Sequence, residues 1–178
     1  RNYIYGYGAD EGERFAYFCR AVLEAIVHTG FVPGIHQRDS WIQRSCRFWQ
    51  DFLEEREGKG LAVYLENVQD PDPAAILEVL EKTDHPLFKA CLDIGHAEMR
   101  GVGSGAVNMI RALGPHLQAL HIHDTDKIHD SHQIPFSMAI DFQSIVAALK
   151  EIHYQGYFTL EASYYLENYP KDEVLKGV

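Results

Sequence analysis

The sequence predicts an α/β protein with a parallel sheet, a (β/α)8 barrel of which this chain carries only part. Three observations predict it. Short apolar strands alternate with amphipathic helices, and no stretch reads as a hairpin. An ionisable residue closes each apolar run at its C-terminal end: His28, Glu66, Asp93, His121 and Glu161. That edge is where parallel sheets and barrels carry their ligand-binding groups. Finally, no glycine-rich nucleotide fingerprint follows a strand. The run "GVGSG" follows a loop after Asp93, so a dinucleotide-binding sheet is disfavoured against a barrel.

The elements follow in order. "GERFAYFCRAVLEA" places Phe15, Phe18, Val22 and Ala25 at helical spacing, and "AIVHTGF" reads as a strand ending at His28. "DSWIQRSCRFWQDFLEEREGKG" is a helix with Asp39 or Ser40 as N-cap and Gly58 near its stop. "LAVYLENV" is a strand, and "DPAAILEVLEKTDH" a helix with Pro73 in its first turn. "FKACLDIGH" is a strand, "GSGAVNMIRALG" a helix and "LQALHIHD" a strand. "DFQSIVAALKEIHYQG" is a helix capped by Asp141, and "YFTLEA" is the last strand. With "YIYGYG" as a further candidate strand, the tally is five or six, whereas a closed barrel needs eight over roughly 250 residues. The expectation is one partial barrel domain over residues 1–178, lacking N-terminal β/α units. Helix "RFAYFCRAVLEA" also runs into strand "IVHTGF" without the loop of roughly two to six residues such a join needs. Either residues are skipped there or the helix stops early, near Phe18.

Composition narrows the function. Hydrophobic residues make up 46% of the 178, enough to bury a core. Sixteen basic residues stand against 26 acidic ones, a formal charge of -10, which repels nucleic acid and anionic membranes. No run of about twenty apolar residues is present for a membrane span. Three scattered cysteines, Cys19, Cys46 and Cys91, argue against a disulfide framework and fit a reducing, cytoplasmic setting. Cys91 lies in an apolar run as a small core residue.

Each strand-end residue has a bland reading. A lone histidine such as His28 is more often hydrogen-bonded structure than a ligand. Asp93 can cap the segment that follows it. Asp130 and His132, in "HDSHQ", read on spacing alone as solvated loop. Glu66 and Glu161 are harder to dismiss, because a carboxylate at the mouth of a core is costly unless paired or bound to a cation. "ALHIHD" sets His121 and His123 on one strand face, and His96 follows Asp93 by three residues. So many ionisable residues at the same end of successive strands point jointly to a shared divalent metal site. Oxygen and imidazole ligands without cysteine suit Mn, Mg, Co, Fe or Zn alike. Tyr5 and Trp41, in loops, could stack on a ring or simply cover the barrel.

The order "ENV", "LDIGHA", "LHIHDTD…HDSHQIPF…IDFQSIVAALKEIHYQGYFTLEA" resembles the xylose isomerase-like TIM-barrel superfamily, from about His28 to Glu161. That group includes sugar phosphate isomerases and epimerases and the endonuclease IV type of DNA-repair enzyme. The resemblance implies a metal shell of Glu66, Asp93, His121 and Glu161, with Glu66 and Glu161 also serving as catalytic base and acid across the substrate. It implies substrate contact by His96. His123 stands where a polar residue is usual, and with Asp124 is a candidate to support the shell or touch substrate. In the endonuclease type His28, His96, Asp130 and His132 would bind further ions. This chain lacks an identifiable first-strand histidine and reads "IPF" where that type has a "GEG" ending.

The expected activity is isomerisation or epimerisation of a sugar, sugar phosphate or related polyol. A proton next to a carbonyl would be abstracted, and the divalent ion would stabilise the enediolate. Phosphodiester hydrolysis, a keto-sugar or cyclitol lyase or dehydratase, and a barrel that binds without turnover stay open as alternatives. The expected partner is a small carbohydrate. Nucleic acid and membrane are disfavoured, the sugar is not legible, and a homo-oligomer stays open.

Overall fold

A computed structural model describes residues 35–56, 58, 62–70, 72–101 and 103–162. They fall into two compact units, one of the chain up to Glu66 with Ala74–Ala90, the other of Asn67–Pro73 with the chain from Cys91 onward. The expected N-terminal helix and strand, with Tyr5, Cys19 and His28, lie outside the described residues.

The first unit holds helix α1 (Ile35–Glu54), strand β1 (Val63–Glu66), helix α2 (Ala74–Thr83) and the start of strand β2 (Phe88–Asp93). Ile42, Cys46, Trp49 and Leu53 recur at steps of four, three and four, so they share one face of α1, and all four are buried. Ile76, Val79, Leu80 and Thr83 are the buried positions of α2. The Cys46 thiol donates to the Val79 carbonyl at 3.9 Å, and the Trp49 ring packs on Phe88 with centroids 5.2 Å apart. At the helix surface Arg38 pairs with Glu78 at 2.9 Å.

The second unit holds the end of β2, helix α3 (Ile94–Glu98), helix α4 (Ala106–Leu113), a 3-10 turn (Gly114–His116), strand β3 (Leu117–Ile122), helix α5 (Phe142–Glu151) and strand β4 (Tyr157–Leu160). Its core is Met109, Ile110 and Leu113 of α4, Leu117 and Leu120 of β3, and Ile145, Ala148 and Leu149 of α5. Strands hydrogen-bond in chain order, β1-β2-β3-β4. β3 and β4 run parallel with His121 opposite Thr159, as expected for strands linked by a helix. The ladder continues past β4, where the Glu161 amide donates to the Ile122 carbonyl at 2.9 Å.

Several expected boundaries move, each for a local reason. α1 already runs at Ile35, so Asp39 and Ser40 lie inside the helix rather than at its cap, and Trp41 is a half-buried helix residue, not a loop residue. The helix-breaking pair Pro33 and Gly34 stands upstream of the expected start. Pro73 precedes α2 instead of lying in its first turn. β2 stops at Asp93 because that side chain accepts the His96 amide and starts α3, so His96 rides a helix rather than the strand. Asp141 caps α5 as expected, accepting from the Gln143 and Ser144 amides. Cys46 and Cys91 are buried. β4 forms within the expected segment. Tyr157, Phe158 and Leu160 are 68%, 62% and 56% exposed, because among the described residues β4 is the sheet edge.

Replacement of Trp49 by Ala should destabilise the chain by about 3–5 kcal/mol in urea unfolding. Phe48, its exposed neighbour off the buried stripe, should cost far less on the same change. Equal losses would contradict the assigned face of α1.

Candidate metal centre

Asp93 ends β2 with its side chain fully buried, at 0% exposure. Its Oδ1 accepts the His96 amide at 2.8 Å and His123 Nε2 at 2.9 Å. Burial by itself would push this carboxyl up. The hydrogen bond from His123 and the electrostatic influence of the neighbouring imidazoles outweigh burial and hold it well below the usual carboxylate range. The other oxygen, Oδ2, is buried and has no hydrogen-bond partner among the described residues. The capping reading of Asp93 is therefore correct but accounts for one oxygen only. A buried carboxylate oxygen with no donor is costly, and a cation would satisfy it.

The backbone of Asp93 is pinned as well. Asn67, directly after Glu66, is buried; its Nδ2 donates to the Asp93 carbonyl at 3.0 Å and its Oδ1 accepts the Asp93 amide at 2.7 Å. The amide side chain thus acts as a short stretch of ladder at the strand end. Asn67 is not among the residues that the sequence singles out. Its signal was a polar amide set directly after an apolar strand, in "ENV".

The next two strands bring His121 and Glu161 to Asp93. Single ligand atoms of Asp93, His121 and Glu161 lie within 4.8 Å of one another, and His121 Nδ1 is 3.4 Å from Glu161 Oε1. Two carboxylates and an imidazole can hold a divalent ion of the hard to borderline kind. Glu66 ends β1 in the other compact unit and is buried.

A second group forms beside the first. Ligand atoms of His96, His123, Asp130 and His132 also lie within 4.8 Å of one another. His96 Nδ1 donates to the Asn67 carbonyl at 3.3 Å, and His132 Nδ1 donates to the Glu161 carbonyl at 2.9 Å. Both Nε2 atoms then face Asp130, at 3.3 and 3.0 Å. Burial opposes charge on both His132 and Asp130, but their mutual hydrogen bond raises the imidazole and lowers the carboxyl. Imidazoles held through Nδ1 on carbonyls, with Nε2 converging, have the arrangement of metal ligands. His132 reaches it with a positive φ of 41°, a backbone conformation uncommon for histidine.

The loop carrying Asp130 and His132 is organised by Asp124. This buried carboxylate accepts the Thr125 and Ile140 amides on Oδ1, at 2.8 and 3.1 Å, and the Met138 amide on Oδ2, at 2.8 Å. Backbone bonds in both directions between Asp124 and Gln133, at 2.7 and 2.9 Å, close the loop upon itself. Asp124 is thus a loop scaffold; within "HDSH", His129 and Asp130 are exposed and His132 is buried. His123, expected as a substrate contact, is completely buried behind Asp93. Trp41 sits on α1 in the other unit.

The fold and this clustering at strand ends define an α/β protein of the barrel class. The family model of the xylose isomerase-like TIM barrel matches residues 16–177, and the chain belongs to that family. It is 24% identical over 159 residues to the uncharacterised protein MJ1311 of Methanocaldococcus jannaschii, covering 85% of this chain and 54% of that one. It thus spans about half the length of that relative. Among solved structures it is similar to an L-ribulose 3-epimerase, with a TM-score of 0.61 and 21% identity over 82% of this chain and 47% of the other. It also resembles a D-tagatose 3-epimerase-like protein, at 0.59 and 22%, covering 76% and 53%. A D-allulose 3-epimerase from Methylomonas sp. in complex with D-allulose gives 0.55 and 23%, covering 71% and 42%. These likenesses show a shared fold. No described helix is long and apolar enough to cross a membrane.

Asn67→Ala should leave the buried Asp93 amide and carbonyl without their partners. The expected loss is about 1–3 kcal/mol for each unsatisfied group, read by urea unfolding. A loss below about 0.5 kcal/mol would show that water or a shifted chain replaces both bonds.

Proposed function

We propose that the chain carries the metal-binding strand ends of a divalent-metal-dependent isomerase or epimerase acting on a sugar or related polyol. One observation carries the reading: Asp93 Oδ2, buried and without a donor among the described residues, sits in a cluster with His121 and Glu161 at the ends of consecutive parallel strands. Sugar 3-epimerases among the proteins of similar fold support it.

Asp93, His121 and Glu161 hold the ion in this reading, and the family resemblance adds Glu66 to them. A bound divalent ion supplies Lewis acidity to adjacent carbonyl and hydroxyl oxygens of the substrate. The chain's own residues perform the rest. Glu66 and Glu161 serve as base and acid, one removing the proton next to the carbonyl and the other returning it. Asp93 fixes the ion's position through its pinned backbone and its saturated Oδ1. His96, with Nε2 directed at Asp130, is the substrate-binding imidazole.

A second reading has its own support. The carbonyl-locked Nδ1 atoms of His96 and His132 leave both Nε2 atoms converging on Asp130, an arrangement suited to a second ion. A multi-ion site suits phosphodiester hydrolysis of the endonuclease IV kind. The formal charge of -10 counts against a nucleic-acid substrate.

Elemental analysis of purified protein separates the readings, since one ion per chain favours the epimerase and two or three favour the hydrolase. Asp93→Asn and His121→Ala should each abolish tight Mn²⁺ binding in titration. Glu66→Gln and Glu161→Gln should each stop incorporation of solvent deuterium into a ketose substrate by at least about 10²-fold. Continued exchange in both variants would rule out the two-glutamate mechanism.

A further inference from the structure

We propose that His123 is a positioning residue of the metal centre, neither substrate contact nor metal ligand: it holds Asp93 and ties that carboxylate to the neighbouring histidine group. The inference rests on the metal-site reading above and adds a role for a residue outside the ligand shell.

Three observations carry it. The ring is completely buried, so substrate cannot reach it. Its Nε2 lies 2.9 Å from Asp93 Oδ1, an oxygen already bonded to the His96 amide. Among the described residues the buried Nδ1 has no hydrogen-bond partner, and Asp93 Oδ1 can only accept, so the ring proton belongs on Nε2, where it donates to Asp93. With Oδ1 fully engaged, Oδ2 is the oxygen left to bind an ion. A ligating carboxylate oriented by a hydrogen bond to its other oxygen is a recurring way to fix ligand direction.

The ring itself is held by shape. It stacks on His132 with centroids 3.9 Å apart and planes at 4°. On another side Gly95 makes room for it, since a Cβ there would lie 2.0 Å from His123 Cε1. The imidazole therefore fills a slot formed by a glycine and a second ring, with one polar atom directed at Asp93. His132 donates to the Glu161 carbonyl, so His123 also links Asp93 to Glu161 through the stack. A surface histidine that happened to fold inward would not need a glycine opposite it.

His123→Phe keeps the ring and the stack but removes the donor. In the full chain, competition between the protein and a fluorescent chelator for Mn²⁺ should show affinity lowered by about 10–100-fold. His123→Gln, whose amide can donate to Asp93, should recover part of it. His121→Ala, which removes a ligand, serves as reference. If His121→Ala loses binding while His123→Phe stays within about twofold of the unaltered chain, the positioning role is overturned and the metal site stands. If His121→Ala and the unaltered chain bind alike, the metal reading falls and the inference falls with it. A second measurement needs no substitution. In ¹⁵N-histidine-labelled protein, His123 should show a protonated, hydrogen-bonded Nε2 both before and after Zn²⁺ addition. Loss of that proton on Zn²⁺ binding would make His123 a ligand and overturn the proposal.

Discussion

The buried carboxylate of Asp93 is the constraint on which the second unit is organised. A charge removed from water must be met by donors, cations or both. Here the donors are supplied in layers. The His96 amide and the His123 imidazole take one oxygen, and Asn67 grips the main chain from a neighbouring segment. Each of these bonds also has a geometric consequence. Capping by Asp93 ends β2 and starts α3, and that helix presents His96. The bond from His123 places its ring against Gly95 and His132. One carboxylate thus links strand end, helix start and loop.

The loop after β3 solves a related problem. A polar segment at the mouth of a core must find partners for its backbone without becoming a strand or a helix. Asp124 provides three acceptor contacts to backbone amides, and its own backbone pairs with Gln133. Asp130 and His132 therefore stand on a loop with internal support. Support of this kind distinguishes a binding constellation from a run of charges that merely faces solvent.

Much of this was legible in the residues, and particular misses are instructive. The placement of Glu66, Asp93 and His121 at or beside strand ends followed from apolar runs closed by ionisable residues, although the exact ends of the strands did not, and the Asp141 cap followed from its place before an apolar-periodic segment. The start of α1 was misplaced because Asp39 and Ser40 are good caps by residue type, yet nothing upstream as far as Ile35 interrupts the helix. Asn67 and Gly95 carried no pattern of their own. An asparagine after a strand and a glycine before a histidine are common, and their roles depend on what lies opposite in space. The exposure of β4 could not be read from "YFTLEA", since an apolar strand looks the same at an edge and in the middle of a sheet.

The sequence by itself determined the alternation of strands and helices, the end of the sheet that carries the chemistry, and the residue types available there. Periodicity and residue type are local properties, and parallel strands carry their functional groups at a known edge. Only the tertiary structure decided which oxygen of Asp93 is engaged and which is left over, which histidine stands behind a ligand, and which two rings stack. Those outcomes depend on distances between residues some 30 positions apart in the chain, such as the Asp93–His123 bond, and no local pattern encodes such a distance.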